Sequence, residues 1–162
     1  MIKSRLVKML LVGCTIPAAV VSLSSSSYAA TGSVTWTNKW SGDILCTVQG
    51  TSGVTDCNLS NSQGAHWTDR QNSDGSWNEV DQWGRCLTTY WTTNVYVESC
   101  NSAANGTNNY ERWDEISTAT GWKLKNVATG YILDEKDTGG GAYHFYSNAT
   151  DYGNSDSHQR FK

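Results

Sequence analysis

The sequence predicts an all-β fold made of three similar units, on the basis of its composition and its internal repetition. The chain has 15 Gly and 8 Trp but only 2 Phe, and it is rich in Ser, Thr and Asn. Many aromatic residues, few aliphatic ones and frequent turn residues favour short strands joined by tight turns. No segment repeats its apolar residues at a helical spacing, so we expect no helix longer than a single turn.

The repetition is clearest at three aromatic anchors, each of which follows a matching glycine and leucine. The anchors are Trp67, Trp113 and Phe161, separated by 46 and 48 residues. The matching glycines and leucines are Gly42, Gly84 and Gly130 and Leu45, Leu87 and Leu133. This regularity predicts three repeats, over residues 33–76, 77–121 and 122–162. No proline-rich linker or charged run separates them, so we expect residues 31–162 to form a single domain.

The first 30 residues are typical of a secretory signal peptide. Basic residues precede an apolar run over residues 9–23, and small residues end the segment at Ala29 and Ala30. The run is short and interrupted for a membrane-spanning helix, so we expect cleavage after Ala29 or Ala30 and a secreted, extracellular protein. A second possibility is a lipoprotein anchored at Cys14, because the preceding residues read LVG.

The charge of the remaining chain disfavours two classes of partner. Removing residues 1–30 takes away 3 of the 12 basic residues and none of the 15 acidic ones, which leaves a net charge of −6. Such a chain is unsuited to nucleic acid or to an anionic membrane surface. Residues 31–162 also lack an apolar stretch long enough to cross a membrane, so we expect no membrane insertion.

Four cysteines remain after the signal peptide, and an even number in a secreted chain indicates disulfide bonds. Four cysteines allow three pairings, of which we favour Cys46–Cys57 and Cys86–Cys100, because each closes a local loop. Zinc binding is the competing interpretation. The spacings of 11 and 14 residues, however, lack the short Cys-x-x-Cys unit of zinc sites. We therefore expect no metal site.

Three short motifs recur in the same order in repeats two and three. Repeat three reads NVATGYILD (126–134), GAYHFYSN (141–148) and HQRF (158–161). Repeat two reads GRCLTT (84–89), NVYVESCN (94–101) and NYERW (109–113). These motifs resemble the ricin-B-type lectins, and most closely the actinohivin-like members, over the whole chain after the signal peptide. The resemblance implies a β-trefoil, a closed barrel with no free strand edge, whose shared core would contain the anchors and the leucines.

The resemblance also implies one sugar-binding site, in repeat three. Asp134 stands where these lectins have a carboxylate that accepts hydrogen bonds from two sugar hydroxyls. Tyr143 and Phe145 are the candidate rings for the apolar face of the sugar, since strand alternation places them on one side. The remaining polar positions are Asn148, His158 and Gln159. We therefore expect a secreted carbohydrate-binding protein that recognises hexose units of a glycan or polysaccharide without a cofactor.

Repeats one and two depart from this pattern. Repeat two has Thr88 in place of the Asp and Glu111 in place of the Gln, and repeat one has Cys46 and Ala65 at those positions. In repeat three, His158 stands where the family often has Asn. These departures predict that repeat three holds the one working site.

Other interpretations of these residues stay open. Asp134 could cap the turn that follows it, and Tyr143 and Phe145 could be ordinary strand residues that cover the barrel. The main functional alternative is a protein-binding module, such as an inhibitor or a toxin-like targeting subunit. It would act through loops and exposed tryptophans, for which the candidates are Trp40, Trp83 and Trp91.

An enzymatic function is not expected. Carboxylates occur at Glu79 and Asp81, at Asp114 and Glu115, and at Asp134 and Glu135, and three histidines offer bases. They do not form a Ser-His-Asp order with a nucleophile elbow, a His-Glu-x-x-His motif or a phosphate-binding glycine loop. A carboxylate pair across a barrel would suit glycoside hydrolysis, but the sequence singles out no pair.

Overall fold

A computed structural model of the chain describes residues 32–58, 60, 62–100, 108–137 and 143–162, with the backbone alone for Asp137 and Tyr143. The signal peptide and its lipoprotein alternative concern residues outside these ranges and stay predictions. Within the ranges, no helix is long and apolar enough to cross a membrane.

The described residues form short strands and three single-turn 3₁₀ helices. The strands are β1 (Ser33–Val34), β2 (Ile44–Thr47), β3 (Val54–Cys57), β4 (Trp67–Gln71), β5 (Trp77–Asp81), β6 (Arg85–Thr89), β7 (Val95–Ser99), β8 (Trp113–Thr118), β9 (Gly121–Asn126), β10 (Ile132–Asp137) and β11 (Tyr143–Asn148). The 3₁₀ helices are Gln63–Ala65, Asn109–Glu111 and Ser157–Gln159. The strand pairs are antiparallel, and the described residues include no α-helix, which confirms the all-β prediction.

Strands β1, β4, β5, β8 and β9 form a barrel that the C-terminal residues close. Each strand pairs with the next in that order. Phe161 then bridges to Trp122 of β9 on one side and to Asn38 on the other. The backbones of Phe161 and Trp122 exchange two hydrogen bonds of 2.9 Å. This closure satisfies backbone groups that an open sheet would leave at its edge.

Three hairpins, one in each repeat, pack together against the barrel. They consist of β2 and β3, β6 and β7, and β10 and β11. Strand β3 contacts both β7 and β11, and β7 contacts β11. Single bridges join Gly53 to Tyr96 and Asn94 to Tyr146, so each neighbouring pair of repeats is linked through these hairpins. A closed barrel with one hairpin per repeat is the predicted threefold arrangement.

The predicted anchors and leucines are fully buried in one core. All six residues that the repeats predicted have 0 % exposure and belong to one hydrophobic cluster: Trp67, Trp113, Phe161, Leu45, Leu87 and Leu133. The indole N–H of Trp67 donates to the carbonyl of Leu45, and that of Trp113 donates to the carbonyl of Leu87, at 2.9 Å each. Each bond satisfies a donor that would be costly to bury alone.

A 3₁₀ turn precedes each anchor by the same number of residues. The turns end at Ala65, Glu111 and Gln159, each of which is completely buried. Each turn contacts the first strand of the hairpin in its own repeat. The residue two positions before the anchor is therefore placed beneath the hairpin in every repeat.

Both favoured disulfides are present. Cys46 and Cys57 join β2 to β3, with their Cα atoms 6.0 Å apart, and Cys86 and Cys100 join β6 to the end of β7, with their Cα atoms 4.9 Å apart. Loops of this length give a stabilisation of about 3 kcal/mol each in the chain-entropy model. The first and second hairpins are thus covalently closed.

The matching glycines adopt one conformation in all three repeats. Gly42, Gly84 and Gly130 have φ of 85°, 77° and 72°, in the left-handed region. Replacing Gly84 by alanine should lower the free energy of unfolding by about 1–2 kcal/mol, because a Cβ is disfavoured at this φ. Open space surrounds the position, with nothing within 4 Å of an added Cβ, so the backbone conformation alone sets the cost. Denaturant unfolding measures the change.

Gly53→Ala is the matched control for this substitution. Gly53 also has open space around it but lacks a positive φ. Its replacement should leave the free energy of unfolding within about 0.5 kcal/mol of the parent value. A Gly84→Ala variant as stable as Gly53→Ala would contradict the assignment of the strained turn.

Candidate functional site

Asp134, Asn148 and Gln159 form a buried hydrogen-bonded group at the third hairpin, here called the Asp134 network. The side-chain amides of Asn148 and Gln159 both donate to Asp134 Oδ2, at 2.9 Å each. Asp134 lies on β10, Asn148 on β11, and Gln159 ends the third 3₁₀ turn. Asp134 is only 2 % exposed, so these charge-assisted bonds offset the desolvation of its carboxylate. The structure thus brings together three of the predicted site residues.

Two tyrosines that the sequence did not single out accompany this network. Tyr146 pairs with Asp134 in the register of β10 and β11, and its hydroxyl accepts a hydrogen bond of 3.0 Å from Asn148 Nδ2. Burial raises the pKa of Tyr146, and the negative charge of Asp134 raises it further. The backbone N–H of Tyr152 donates to Gln159 Oε1 at 3.1 Å, and the Tyr152 side chain is 56 % exposed. The side chain of Tyr146 and the backbone of Tyr152 therefore both contact amides of the network.

Polar contacts hold the segment after β11 against the network. Gln159 Nε2 donates to the carbonyl of Thr150 at 2.8 Å, in addition to its bond with Asp134. Lys123 forms an ion pair of 2.7 Å with Asp151. Because Thr150 and Asp151 are held in this way, the chain segment that carries Tyr152 has a defined position.

A cleft of 720 Å³ opens next to the network. Tyr146 lines it from the third hairpin and Tyr96 from the second, and Lys136 and His144 add cationic or polar groups to its wall. Ser52 of the first repeat also lines the cleft, so it lies where the three repeats meet, and Tyr146 borders both the cleft and the Asp134 network.

Phe145 does not belong to the site, and its assignment as a sugar platform is wrong. Its side chain is 5 % exposed in the main core, with its ring centroid 6.1 Å from that of Phe161. Successive strand residues face opposite sides, so Phe145 turns inward while Tyr146 and Asn148 share the other face. The two-residue spacing of Tyr146 and Asn148 is the signal that identifies the ring. The side chain of Tyr143 lies outside the described residues, and its assignment stays a prediction.

His158 is directed away from the network, although it is adjacent to Gln159. Its Nδ1 lies 2.9 Å from the carbonyl oxygen of Glu135, and its ring stacks on Trp40 with centroids 3.8 Å apart. Asp156 caps the turn by accepting from the His158 backbone N–H at 3.0 Å. The structure therefore does not bring His158 together with Asp134 as the motif predicted.

The strand registers identify the positions that correspond to the network in the other repeats. The residue pairs that match Asp134 and Tyr146 are Thr88 with Tyr96 and Cys46 with Thr55. The pairs that match Ile132 and Asn148 are Cys86 with Glu98 and Ile44 with Cys57. Asn148 thus corresponds to Glu98, three residues before the Asn101 that the motif alignment matched to it. The alignment was wrong because the third hairpin extends further, through the pairs up to Asp137 and Tyr143.

In the first repeat, a disulfide occupies the place of the polar network. The positions of Asp134 and Asn148 hold Cys46 and Cys57, which are bonded to each other. The position of Gln159 holds Ala65, which packs with Cys46 in a small apolar cluster. This repeat has no carboxylate or amide at these positions, as predicted.

The second repeat has neither the network nor the disulfide at these positions. Thr88 uses its hydroxyl to donate to the carbonyl of Cys86 at 2.9 Å. Glu111 accepts a hydrogen bond of 2.9 Å from Asn108. The second repeat has aromatic side chains near this place instead of a polar network, and Tyr90 stacks on Tyr110 with ring centroids 4.3 Å apart.

The candidate tryptophans for a partner surface lie in different turns and have different contacts. Trp40 stacks on His158, and Arg85 lies over the ring of Trp83 at 5.2 Å. Trp91 is the most exposed of the three, at 62 %, and its indole N–H donates to the hydroxyl of Tyr110 at 3.1 Å. Trp91 therefore belongs to the aromatic surface of the second repeat.

Solved structures of other proteins share this architecture. The designed threefold-symmetric protein ThreeFoil matches with a TM-score of 0.66 at 17 % identity, over 80 % of this chain and 96 % of its own. The fold is a β-trefoil. SeviL bound to asialo-GM1 saccharide matches with a TM-score of 0.62 at 14 % identity, over 81 % of this chain and 94 % of its own.

A GlcNAcα1-4Gal-releasing endo-β-galactosidase from Clostridium perfringens matches with a TM-score of 0.65 at 13 % identity. The match covers 80 % of this chain and 31 % of the galactosidase, so this chain spans about a third of that protein. No family model and no curated protein matches the sequence. At these identities the likeness concerns the fold.

Glu135, next to Asp134, gives a prediction about pH. Burial raises the pKa of Glu135 from 4.5 to about 7, although the hydrogen bond from Ser41 opposes the rise. Between about pH 4.5 and 7, Glu135 is therefore protonated in the folded protein but ionised in the unfolded chain. The contribution of Glu135 to stability is greatest below pH 4.5 and is lost as the pH rises to 7.

The Glu135→Gln variant cannot ionise at this position, so its stability relative to the parent should increase steadily between pH 4.5 and 7 and then level off. Denaturant unfolding of both proteins across this range measures the difference. Asp114→Asn, which changes an exposed carboxylate, should show no such trend. A stability difference for Glu135→Gln that is independent of pH would contradict the prediction.

Proposed function

We propose that the protein binds carbohydrate through a single site in repeat three. The observation that carries this proposal is the Asp134 network with Tyr146 and Tyr152 beside it. A carboxylate held between two amides offers acceptors and donors to neighbouring sugar hydroxyls, and tyrosine rings cover the apolar face of a pyranose. The combination of all these groups is specific to repeat three.

The proposed contacts divide between the network and the two tyrosines. Asp134 and Asn148 would bond the hydroxyls of one hexose, whereas Gln159 mainly holds Asp134 in place. Tyr146 pairs with Asp134 across the hairpin and would cover one face of the hexose. Tyr152 is the more exposed ring and would stack on the sugar from the other side.

The proposed ligand is a hexose unit of a glycan or polysaccharide. SeviL, which shares the fold, holds the asialo-GM1 saccharide, and this supports a glycan as the class of ligand. One small site gives weak binding, with Kd of about 1 mM, equivalent to about 4 kcal/mol. Strong retention would therefore require repeating ligands or association of several protein molecules. Binding of this kind uses no cofactor and no catalytic step.

We also propose that the protein is secreted. Its two disulfides are typical of proteins that fold in an oxidising compartment, and residues 1–30 have the pattern of a signal peptide. A secreted location would expose the site to polysaccharides outside the cell.

The second candidate function is protein binding through the aromatic surface of repeat two. Trp91 is 62 % exposed there, and its ring makes an edge contact with Tyr131 at 6.0 Å. Exposed aromatic clusters of this kind are enriched at protein interfaces. A protein partner would form a stoichiometric complex that Trp91→Ala weakens and that Asp134→Asn retains.

The sugar site is tested with Tyr146→Ala and its counterpart Tyr96→Ala in repeat two. Glycan-array binding, followed by titration of the best ligand, should show at least a tenfold loss for Tyr146→Ala, equivalent to about 1.4 kcal/mol. Tyr96→Ala should bind as the parent does, because Thr88 replaces the carboxylate beside it. Equal binding by all three proteins, or no sugar binding by the parent, would contradict the proposal.

Asp134→Asn tests the carboxylate itself. It removes the charge but keeps the size, and loss of charge-assisted hydrogen bonds should weaken sugar binding by about tenfold to a hundredfold. Asp134 is also a structural acceptor for Asn148 and Gln159, so the thermal unfolding of the variant must be compared with that of the parent. A folded Asp134→Asn variant with full sugar affinity would show that Asp134 serves the fold alone.

A further inference from the structure

Three acidic side chains converge inside the barrel, on the face of the strands that also carries the anchors. Asp69 on β4 pairs directly with Glu79 on β5, and Glu115 lies on β8, which pairs with β5. One carboxylate oxygen from each lies within 4.8 Å of the other two. We call this group the acidic cluster. Asp69 and Glu115 each follow an anchor tryptophan by two residues, so the first two repeats contribute them from equivalent positions.

The acidic cluster is buried and poorly supplied with donors. Glu79 is 0 % exposed and Asp69 is 8 % exposed. The indole N–H of Trp36 donates to Glu79 Oε2 at 2.9 Å. Buried oxygens without a hydrogen-bond partner remain on all three residues, at Asp69 Oδ1, Glu79 Oε1 and Glu115 Oε1. The hydrogen bonds within the acidic cluster link its members to one another, Asp69 to Glu79 and Glu79 to Glu115.

Among the described residues, no lysine or arginine forms an ion pair with this group, although Lys162 lines a cleft beside it. The ion pairs of lysine and arginine in these ranges go to Asp74, Asp81 and Asp151 instead. Burial raises the pKa of all three carboxyl groups, to about 7 for Glu115, and neighbouring negative charges raise the pKa of Glu79 and Glu115 further. Three charged groups this close are costly to bury unless a positive ion compensates them.

A cleft of 340 Å³ leads from the surface to the acidic cluster. Asp69 and Glu115 line it, together with Trp36 and the partly exposed Trp122. A small ion can therefore reach the buried carboxylate oxygens. A bulky ligand cannot reach them, since Glu79 itself has no exposed surface.

We propose that the acidic cluster binds a divalent cation of the calcium type, with one oxygen each from Asp69, Glu79 and Glu115 as ligands. Hard oxygen ligands without histidine or cysteine favour calcium or magnesium over zinc. Calcium takes oxygen ligands at 2.3–2.6 Å, so ligands on opposite sides are up to about 5 Å apart, which agrees with the spacing in the cluster. Water in the cleft would complete the coordination.

This site could not be predicted from the sequence, because its ligands come from three different strands. It is independent of the proposed sugar site, whose residues lie on the third hairpin and on the third 3₁₀ turn. Sugar binding and cation binding can therefore fail separately.

Terbium, which replaces calcium and is sensitised by a nearby indole, is the probe for this site. The full secreted chain, freed of metals with a chelator, should show saturable terbium luminescence excited through tryptophan, because Trp36 touches Glu79. Calcium should displace the terbium and should raise the temperature of unfolding of the metal-free protein. The assignment to calcium would be overturned if magnesium displaced the terbium and calcium did not. It would also be overturned if a polyamine raised the temperature of unfolding and calcium did not.

Glu115→Gln and Asp114→Asn form a matched pair of variants for this experiment. They change neighbouring residues of β8 by the same charge, but Glu115 lies in the acidic cluster, whereas Asp114 is exposed on the other face. Glu115→Gln should weaken terbium binding at least tenfold, and Asp114→Asn should leave it unchanged. Equal terbium affinity in the two variants would overturn the proposal.

The stability of the metal-free variants gives a second readout. Without an ion the acidic cluster is destabilising, so Glu115→Gln should make the metal-free protein more stable while it removes the response to calcium. If the three acids shared protons and bound no ion, Glu115→Gln would raise the stability in the same way. The parent protein would then show no terbium luminescence above that of the free ion. That result would refute the cation site and would leave the sugar proposal untouched.

Discussion

The aromatic anchor of each repeat, with the 3₁₀ turn before it, positions the rest of the structure. The anchor is buried against the hairpin of its own repeat, and in repeats one and two its indole bonds a hairpin carbonyl. Because the turn before the anchor is short, the residue two positions earlier is forced beneath the same hairpin. In repeat three that residue is Gln159, which bonds Asp134 at 2.9 Å. The place of the candidate site is thus a consequence of how the core is built.

The three repeats use this one place in different ways. In repeat one, Cys46 and Cys57 form a covalent bond at the positions where Asp134 and Asn148 of repeat three form a hydrogen bond. The disulfide stabilises its hairpin by about 3 kcal/mol in the chain-entropy model, and a hydrogen bond to a charged group contributes about 1.5–3 kcal/mol. Repeat three therefore lacks a covalent bond at this place but keeps polar side chains there.

Prediction from the sequence succeeded for the features that the repeats share. It failed for β11, which differs from the corresponding strands of the other repeats. The buried anchors and leucines and both disulfides follow from residue types with narrow requirements, so their spacing was sufficient. The inward face of β11 was not predicted, because matching Asn148 to Asn101 shifted the alignment by three residues. The pair Val95 and Trp113 of repeat two corresponds to Phe145 and Phe161 of repeat three, so a larger strand residue faces the smaller anchor. Phe145 is needed in the core for that reason.

The contacts between distant strands were beyond what the sequence could show. Asp69 and Glu79 pair across β4 and β5, and Glu115 joins them through the sheet. Asp69 and Glu115 occupy equivalent positions after their anchors, but nothing in the local sequence relates Glu79 to them. Their surroundings differ from those of Asp134 in one physical respect, the supply of donors. Asp134 receives hydrogen bonds from two amides, whereas Trp36 donates one to the acidic cluster and each of its three acids keeps a buried oxygen without a partner. A buried carboxylate with donors is stable as it stands, and a group of them without donors is stable when protons or a cation join it.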